Sequence, residues 1–147
     1  MTYTVVAFIR RKEGITPAEF RKHYDTVHVP LLKSLVGSTF PFSHTRNYVT
    51  RTPIDDPSSS DLQEGEPSGN VKKGAFEPIL YMGQATDVSY DSITFMVWED
   101  KAAFDRFNKL FSTEEVYGRI AEDNENFVDR RFRLAYAVDE PVVTHRH

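Results

Sequence analysis

The chain has 147 residues, of which 39% are hydrophobic and 13% aromatic, and it carries a formal net charge of −4. This length and composition predict a single globular domain over residues 1–147, and the absence of cysteine excludes disulfides, thiolate metal ligands and a cysteine nucleophile. The basic residues are scattered, which argues against nucleic-acid binding, and no apolar run approaches the roughly 18 residues that a membrane-spanning helix needs.

The first predicted elements are a strand over residues 3–11 and a helix that starts at Thr16. The strand is predicted because these residues are apolar and rich in β-branched side chains. The chain enters it without a signal peptide, so we expect a soluble, cytoplasmic protein with no membrane association. Thr16 suits the N-cap position, Pro17 suits the first turn, and Glu19 completes a capping box. Pro30 removes a backbone donor and is expected to break the helix. A well-specified helix start followed by a break indicates that side chains near the break are used.

The chain then alternates between predicted strands and helices around one polar insertion. Residues from about 53 to 75 are rich in Asp, Glu, Ser, Pro and Gly and leave almost nothing to bury, so we expect a disordered loop or a lid there. The other predicted elements are a second strand over 43–51, an apolar segment over 76–82 that is an edge strand or closes over a pocket, a strong strand over 89–99, a helix capped by Asp100, a helix started by Ser112 and Glu115, a last strand over 127–138, and a loose tail.

The order of these elements defines the expected fold. A β-α-β unit followed by β-α-α-β is the split βαβ plan of a ferredoxin-like α+β domain, with a four-stranded antiparallel sheet and helices on one face. The predicted strands are apolar on both faces, as shown by the positions of Phe8, Ile93, Phe95 and Val97. Because an exposed apolar sheet face is a liability in solution, we expect two copies to pack sheet to sheet as a homodimer.

Three segments resemble one known family. The segment T-P-A-E-F-R-K-H-Y-D-T-V-H-V-P-L, at residues 16–31, resembles the helix motif E-E-F-x-x-x-[WY]-x-x-x-H-x-P-L of the EthD domain family, a branch of the dimeric α/β-barrel superfamily. Residues 90–104 are similar to the third strand and following helix of that family, and residues 129–140 to its final strand. The resemblance covers nearly the whole chain except residues 53–74. It implies a dimeric α/β barrel with a cleft between sheet and helices.

The resemblance also implies an activity. Fungal members of the family often belong to aromatic polyketide pathways, and some are assigned as decarboxylases of anthrone-type carboxylic acids that need no metal or organic cofactor. Polyketide cyclases, lactone isomerases and haem-dependent oxygenases are wider relatives. One departure bears on the mechanism, because many members carry an acidic residue in the third strand about where Phe95 stands here.

His28 is the first candidate catalytic residue, since it matches the histidine of the family motif. An imidazole can deliver a proton to an aromatic carbon as carbon dioxide leaves, or enolise a polyketide. The alternative is a capping histidine that binds the carbonyls freed by the break at Pro30. Tyr24 lies one turn earlier on the same helix face, where it can bind a substrate phenol or simply pack.

His44, Arg46 and Tyr48 share one side of the second predicted strand, which either lines the pocket or faces solvent as an ordinary polar strip. In the pocket, Arg46 can hold a substrate carboxylate through two hydrogen bonds, while His44 or Tyr48 assists proton transfer. Asp91 either orients a histidine or is a turn residue at the start of a strand. Arg131 either pairs with a substrate acid or lies at a solvated edge.

These observations predict a cofactor-independent lyase that decarboxylates an aromatic polyketide or phenolic acid. Phe8, Tyr24, Tyr81 and Phe95 are expected to form apolar pocket walls. A cyclase, isomerase or dehydratase of the same fold is one alternative, and a non-catalytic dimer that binds an apolar small molecule is another. No His, Asp and Glu trio has the spacing of metal ligands, so no metal is expected.

Overall fold

The sheet in the computed structural model has four antiparallel strands, and the structure describes residues 1–54 and 76–147. In chain order the strands are β1 (Tyr3–Ile9), β2 (Ser43–Tyr48), β3 (Arg51–Pro53), β4 (Phe76–Pro78), β5 (Ser92–Trp98) and β6 (Leu134–Val138), and the α-helices are α1 (Pro17–His23), α2 (Val29–Val36), α3 (Lys101–Phe111) and α4 (Glu114–Asn124). The main sheet has the order β2-β5-β1-β6, while β3 and β4 form a separate two-stranded ribbon. The predicted ferredoxin-like α+β fold is confirmed. The predicted polar insertion lies outside the described residues, apart from Pro53 and Ile54.

The first helix begins as the sequence predicts. The Thr16 hydroxyl accepts a hydrogen bond from the Glu19 backbone N–H at 3.1 Å, and the Glu19 carboxylate accepts one from the Thr16 N–H at 2.8 Å. This capping box satisfies two backbone donors at the helix start. Phe20 lies in the next position and is 1% exposed, so the helix is anchored in the core directly after its cap.

The expected break at Pro30 does not occur. Residues Tyr24–His28 form a π-helical turn, in which the Val29 N–H donates to the Tyr24 carbonyl five residues back. In a regular α-helix a proline ring meets the carbonyl four residues earlier, and the wider turn accommodates Pro30, so that α2 follows without interruption. The turn that carries Tyr24 and His28 is therefore widened rather than broken.

The predicted strands 3–11, 43–51 and 89–99 are each shorter in the structure. At two further boundaries, a polar side chain that binds the backbone locally explains the difference. Thr113, rather than Ser112, caps α4, since its backbone is extended and its hydroxyl accepts a hydrogen bond from the first turn at 3.4 Å. The last strand begins only at Leu134. The Asp129 carboxylate accepts a hydrogen bond from the Arg131 backbone N–H at 3.0 Å and so turns the chain that precedes β6.

Alternation along the strands assigns one face of the sheet to the helices. Trp98 of β5 is 1% exposed and packs against two phenylalanines of α3 at ring-centroid distances of 5.0 Å. Thr94 and Met96 share this face of β5, because side chains two residues apart in a strand point the same way. Their partners on β2 are Arg46 and His44, respectively. The register therefore turns both of these β2 side chains towards the helices.

Two buried clusters fill the space between the sheet and the helices. The larger one joins α2, α3 and α4 around Trp98. The smaller one consists of Phe20, Tyr24 and Phe127, and the Phe127 ring lies 4.9 Å from the ring of His28. Among the helices that the structure describes, none is long and apolar enough to cross a membrane.

Candidate active site

His28 is held by a buried carboxylate. Its Nδ1 lies 2.9 Å from Oδ2 of Asp123, at the end of α4, and the two side chains are 12% and 9% exposed. Because an ionised carboxylate only accepts hydrogen bonds, the Nδ1 of His28 carries the proton and its Nε2 keeps a lone pair. Among the described residues, this Nε2 has no hydrogen-bond partner. This atom can therefore accept a proton or a hydrogen bond.

The charge on Asp123 is stabilised by several donors. Besides His28, it binds Nε2 of His23 at 3.0 Å and the amide of Asn126 at 3.2 Å. Burial raises the pKa of Asp123, but the hydrogen bonds from His28 and the two other side chains outweigh it and lower the pKa overall. Burial also lowers the pKa of His28 below its usual 6.5, despite the opposing effect of Asp123. At pH 7 the carboxylate is thus ionised and the His28 imidazole neutral.

The side chains of β2 form a second hydrogen-bonded group. Arg46 Nε donates to Asp25 Oδ1 at 2.8 Å, and Arg46 Nη1 donates to His44 Nδ1 at 2.8 Å. A guanidinium only donates, so the single ring proton of neutral His44 lies on Nε2. Burial and the positive charge of Arg46 lower the pKa of His44 to about 4. Tyr48 donates to the same Asp25 oxygen at 2.5 Å, and burial together with this bond raises its pKa.

Tyr24 lies between the two histidines. Its ring centroid is 5.7 Å from that of His28 and 6.1 Å from that of His44, in edge-on arrangements. Its hydroxyl lies 2.8 Å from the Thr94 hydroxyl in the interior, and burial raises the pKa of Tyr24 to about 12. Of the two roles predicted for Tyr24, its position fits packing, because its hydroxyl is already bonded away from solvent.

We call Tyr24, His28, His44, Arg46 and Tyr48 the histidine cluster. Its two imidazoles both contact the Tyr24 ring, and they supply a hydrogen-bond acceptor, Nε2 of His28, and a donor, Nε2–H of His44. Such a pair can take a proton from a substrate while stabilising the negative charge that develops nearby. In residues 1–54 and 76–147, no three His, Asp or Glu side chains are arranged to hold a metal ion.

The depressed pKa of His44 predicts an acid-sensitive fold. In the unfolded chain this imidazole takes up a proton near pH 6.5, whereas in the folded chain it does so only near pH 4. The stability that neutral His44 contributes is therefore complete above pH 6.5 and lost between pH 6.5 and 4, by about 3 kcal/mol. Urea denaturation at a series of pH values between about 4 and 7 measures this loss of stability. The wild type is compared with His44→Gln, which keeps an acceptor for Arg46. The variant should show the flatter pH dependence, and parallel curves would contradict the assignment.

Asp91 and Arg131 lie outside the histidine cluster. Asp91 precedes β5 and is 7% exposed; its carboxylate accepts a hydrogen bond from the Arg11 backbone N–H at 2.7 Å and lies 2.6 Å from Arg51 Nε. Cationic partners thus occupy Asp91, and the structure does not bring it to a histidine. Arg131 is exposed and binds the Asp129 carboxylate at 2.8 Å. Both Asp91 and Arg131 line a polar pocket of about 590 Å³ at this end of the sheet.

The four predicted wall residues do not line one pocket. Phe8 and Phe95 lie on the sheet face opposite the helices, because they alternate with the residues that face inward. The Phe8 ring contacts that of Tyr136 on this outer face, at 5.8 Å. Tyr81 is 96% exposed. Only Tyr24 therefore belongs to the histidine cluster, and the position where many family members have an acid, Phe95, is on the far side of the sheet from His28.

Three polar residues of this site were missed by the sequence analysis. Asp123 orients His28, Asp25 holds two side chains of β2, and Thr94 binds Tyr24. Asp25 carried a usable signal, because it lies three residues before His28 on the same helix face. Asp123 carried none, since it is separated from His28 by 95 positions and approaches it only in the folded chain.

The strand order with helices on one face defines a ferredoxin-like α+β protein. The profile of the EthD domain matches residues 12–131, and the chain belongs to this family. An EthD family protein from Bacillus halodurans is similar in structure, with 13% identity, coverage of 96% of this chain and 100% of that one, and a TM-score of 0.50. SnoaB, a cofactor-independent oxygenase from Streptomyces nogalater, is also similar in structure. Its identity is 12%, the match covers 97% of this chain and 95% of SnoaB, and the TM-score is 0.42. No curated protein matches the sequence.

Proposed function

We propose that this chain is a cofactor-independent enzyme that acts on an aromatic polyketide or phenolic carboxylic acid, and that its reaction is decarboxylation. One observation carries the proposal. Neutral His28 is fixed by Asp123 at 2.9 Å, its Nε2 has no hydrogen-bond partner among the described residues, and the ring of Tyr24 contacts both His28 and His44. Membership of the EthD family supports a small-molecule enzyme of this kind.

The proposed reaction uses His28 to move one proton. Nε2 takes the proton from a ring hydroxyl of the substrate and delivers it to the ring carbon that bears the carboxylate. The bond to the carboxyl carbon then breaks, its electron pair returns to the ring, and carbon dioxide leaves. His44 donates its Nε2–H to the phenolate oxygen while the hydroxyl is deprotonated. The imidazole of His28 ends neutral, as it began, and the product is released as a phenolate that takes its proton from water.

Arg46 is proposed to bind the substrate carboxylate through one hydrogen bond rather than two. Its Nε and Nη1 are already bonded to Asp25 and His44, and among the described residues its Nη2 has no hydrogen-bond partner. A substrate carboxylate would therefore receive one hydrogen bond from Nη2 rather than the two-fold contact that the sequence suggested. Departure of the carboxylate as neutral carbon dioxide ends this contact and favours product release.

Product analysis tests the reaction. The purified chain, incubated with an anthrone-type carboxylic acid in D₂O containing EDTA, is expected to release carbon dioxide and to leave one deuterium at the former carboxyl-bearing carbon. Loss of water without loss of carbon dioxide would assign a cyclase or dehydratase, and an unchanged mass with a new chromatographic peak an isomerase. Tight binding without turnover of any acid tested would replace the enzyme proposal with a carrier.

We also propose that the chain forms a homodimer through the sheet face that the helices leave open. Leu134 and Tyr136 on this face are 47% and 48% exposed, and Phe8 and Phe95 lie beside them. Neighbouring exposed apolar side chains on one sheet face are typical of an interaction site. Sedimentation equilibrium should give twice the mass of one chain; a single-chain mass at micromolar concentration would contradict the dimer.

A further inference from the structure

A second pocket is lined by residues of α4, but Asp123 is not among them. It has a volume of about 390 Å³ and opens between α4, β1 and the chain that leads into β6. Apolar residues make up most of its lining, among them Phe111, Ile120 and Val128. Neither His28 nor His44 lines it. The pocket is separated from the histidine cluster by a layer that includes Val128, which also packs against the smaller core cluster.

The charge of this pocket differs from that of the chain. The chain carries a net charge of −4, whereas the pocket lining contains two arginines and no carboxylate. Arg130 is paired with Glu125 at 2.7 Å. Arg133 has no carboxylate partner among the described residues; it donates to the Tyr117 hydroxyl at 3.1 Å. The pocket thus combines an apolar wall with one arginine that is paired with no carboxylate of residues 1–54 or 76–147.

We propose that this pocket is a separate binding site for a small aromatic carboxylate, whose ring packs against the apolar wall and whose carboxylate binds Arg133. A volume of this size is near the lower end of the range for small-molecule sites and suits a ligand of two fused rings. A carboxylate can receive two parallel hydrogen bonds from a guanidinium. The charge of Arg133 already affects Tyr117, because the hydrogen bond from Arg133 lowers the pKa of Tyr117. A carboxylate at the pocket mouth would neutralise the same arginine.

Binding of 2-naphthoate to the full chain, measured by titration calorimetry, tests the site. We expect one saturable site, with 2-naphthamide binding at least about tenfold more weakly because it lacks the charge. Arg133→Gln should weaken naphthoate binding by about tenfold or more, while the control variant Arg119→Gln, which removes an arginine of α4 that does not line the pocket, should not. Ala121→Phe, which fills the pocket, should abolish binding. Equal binding of acid and amide, or wild-type affinity in Arg133→Gln, would overturn the proposal.

A variant of the histidine cluster separates this proposal from the proposed function. His28→Asn should bind naphthoate as the wild type does, because His28 does not line the pocket. If His28→Asn loses binding while Arg133→Gln keeps it, the acid binds in the histidine cluster and the separate site is wrong, although the proposed enzyme function stands. If the chain binds naphthoate through Arg133 but turns over no aromatic acid, the proposed function fails and the second site remains.

Discussion

His28→Asn is expected to lower kcat for decarboxylation by about 10²- to 10⁴-fold, with KM changing by less than about threefold. The asparagine amide can take the place of Nδ1 and keep the hydrogen bond to Asp123, which is 2.9 Å long in the wild type. It offers nothing in the place of Nε2, so the base is removed while its support stays. Steady-state rates with an anthrone-type acid, and thermal melting of both proteins, measure the effect. The melting temperature of His28→Asn should differ little from that of the wild type.

The neighbouring histidine provides the control. His23 binds the same carboxylate, Asp123, through its Nε2 at 3.0 Å, but the ring contact of His23 is with Phe127 and not with Tyr24. His23→Asn should therefore lower kcat by less than about tenfold, since the bond between His28 and Asp123 persists. Equal losses in the two variants would show that both histidines act only by holding α1 to α4, and would remove His28 from its proposed role as the base.

Features set by local chemistry were predictable from the sequence. The capping box at Thr16 and Glu19 needs only neighbouring residues, and it forms as expected. The common orientation of His44, Arg46 and Tyr48 follows from the two-residue period of a strand, which holds wherever the strand pairs regularly. The order of strands and helices likewise fixed the ferredoxin-like plan, because few chain paths connect such elements without crossing.

Features that depend on contacts between distant segments were not predictable. The sequence could not say which side of β5 meets the helices, so Phe95 was placed in the pocket although it faces outward. Asp91 was considered as a partner for a histidine, yet Arg51, 40 positions earlier in the chain, neutralises it. The sequence predicts a helix break at Pro30, but the chain forms a wider turn there. That turn carries the buried Tyr24, and the packing of Tyr24 in the core cannot be read from the neighbouring residues.

Phe127→Ala is expected to lower the free energy of unfolding by about 3–5 kcal/mol, the largest effect on stability among the residues of this site. Phe127 is 1% exposed, and its ring lies 4.9 Å from that of His28, 4.7 Å from that of His23 and 5.5 Å from that of Tyr24. The truncation leaves a cavity that these rings, fixed by their hydrogen bonds, cannot fill. Urea denaturation at neutral pH measures the loss, and a domain of this size has only about 5–15 kcal/mol in total.

The comparison with an exposed phenylalanine makes this effect specific. Phe42 is 57% exposed, so Phe42→Ala should cost less than about 1 kcal/mol. Phe127→Leu keeps much of the buried volume, so it should lower the free energy of unfolding less than the alanine variant does. It should also retain activity, because a leucine can still pack against the imidazole of His28. If Phe127→Ala were as stable as Phe42→Ala, the smaller core cluster would not be packed as the structure shows. The ring packing that positions His28 would then have to come from Tyr24 alone.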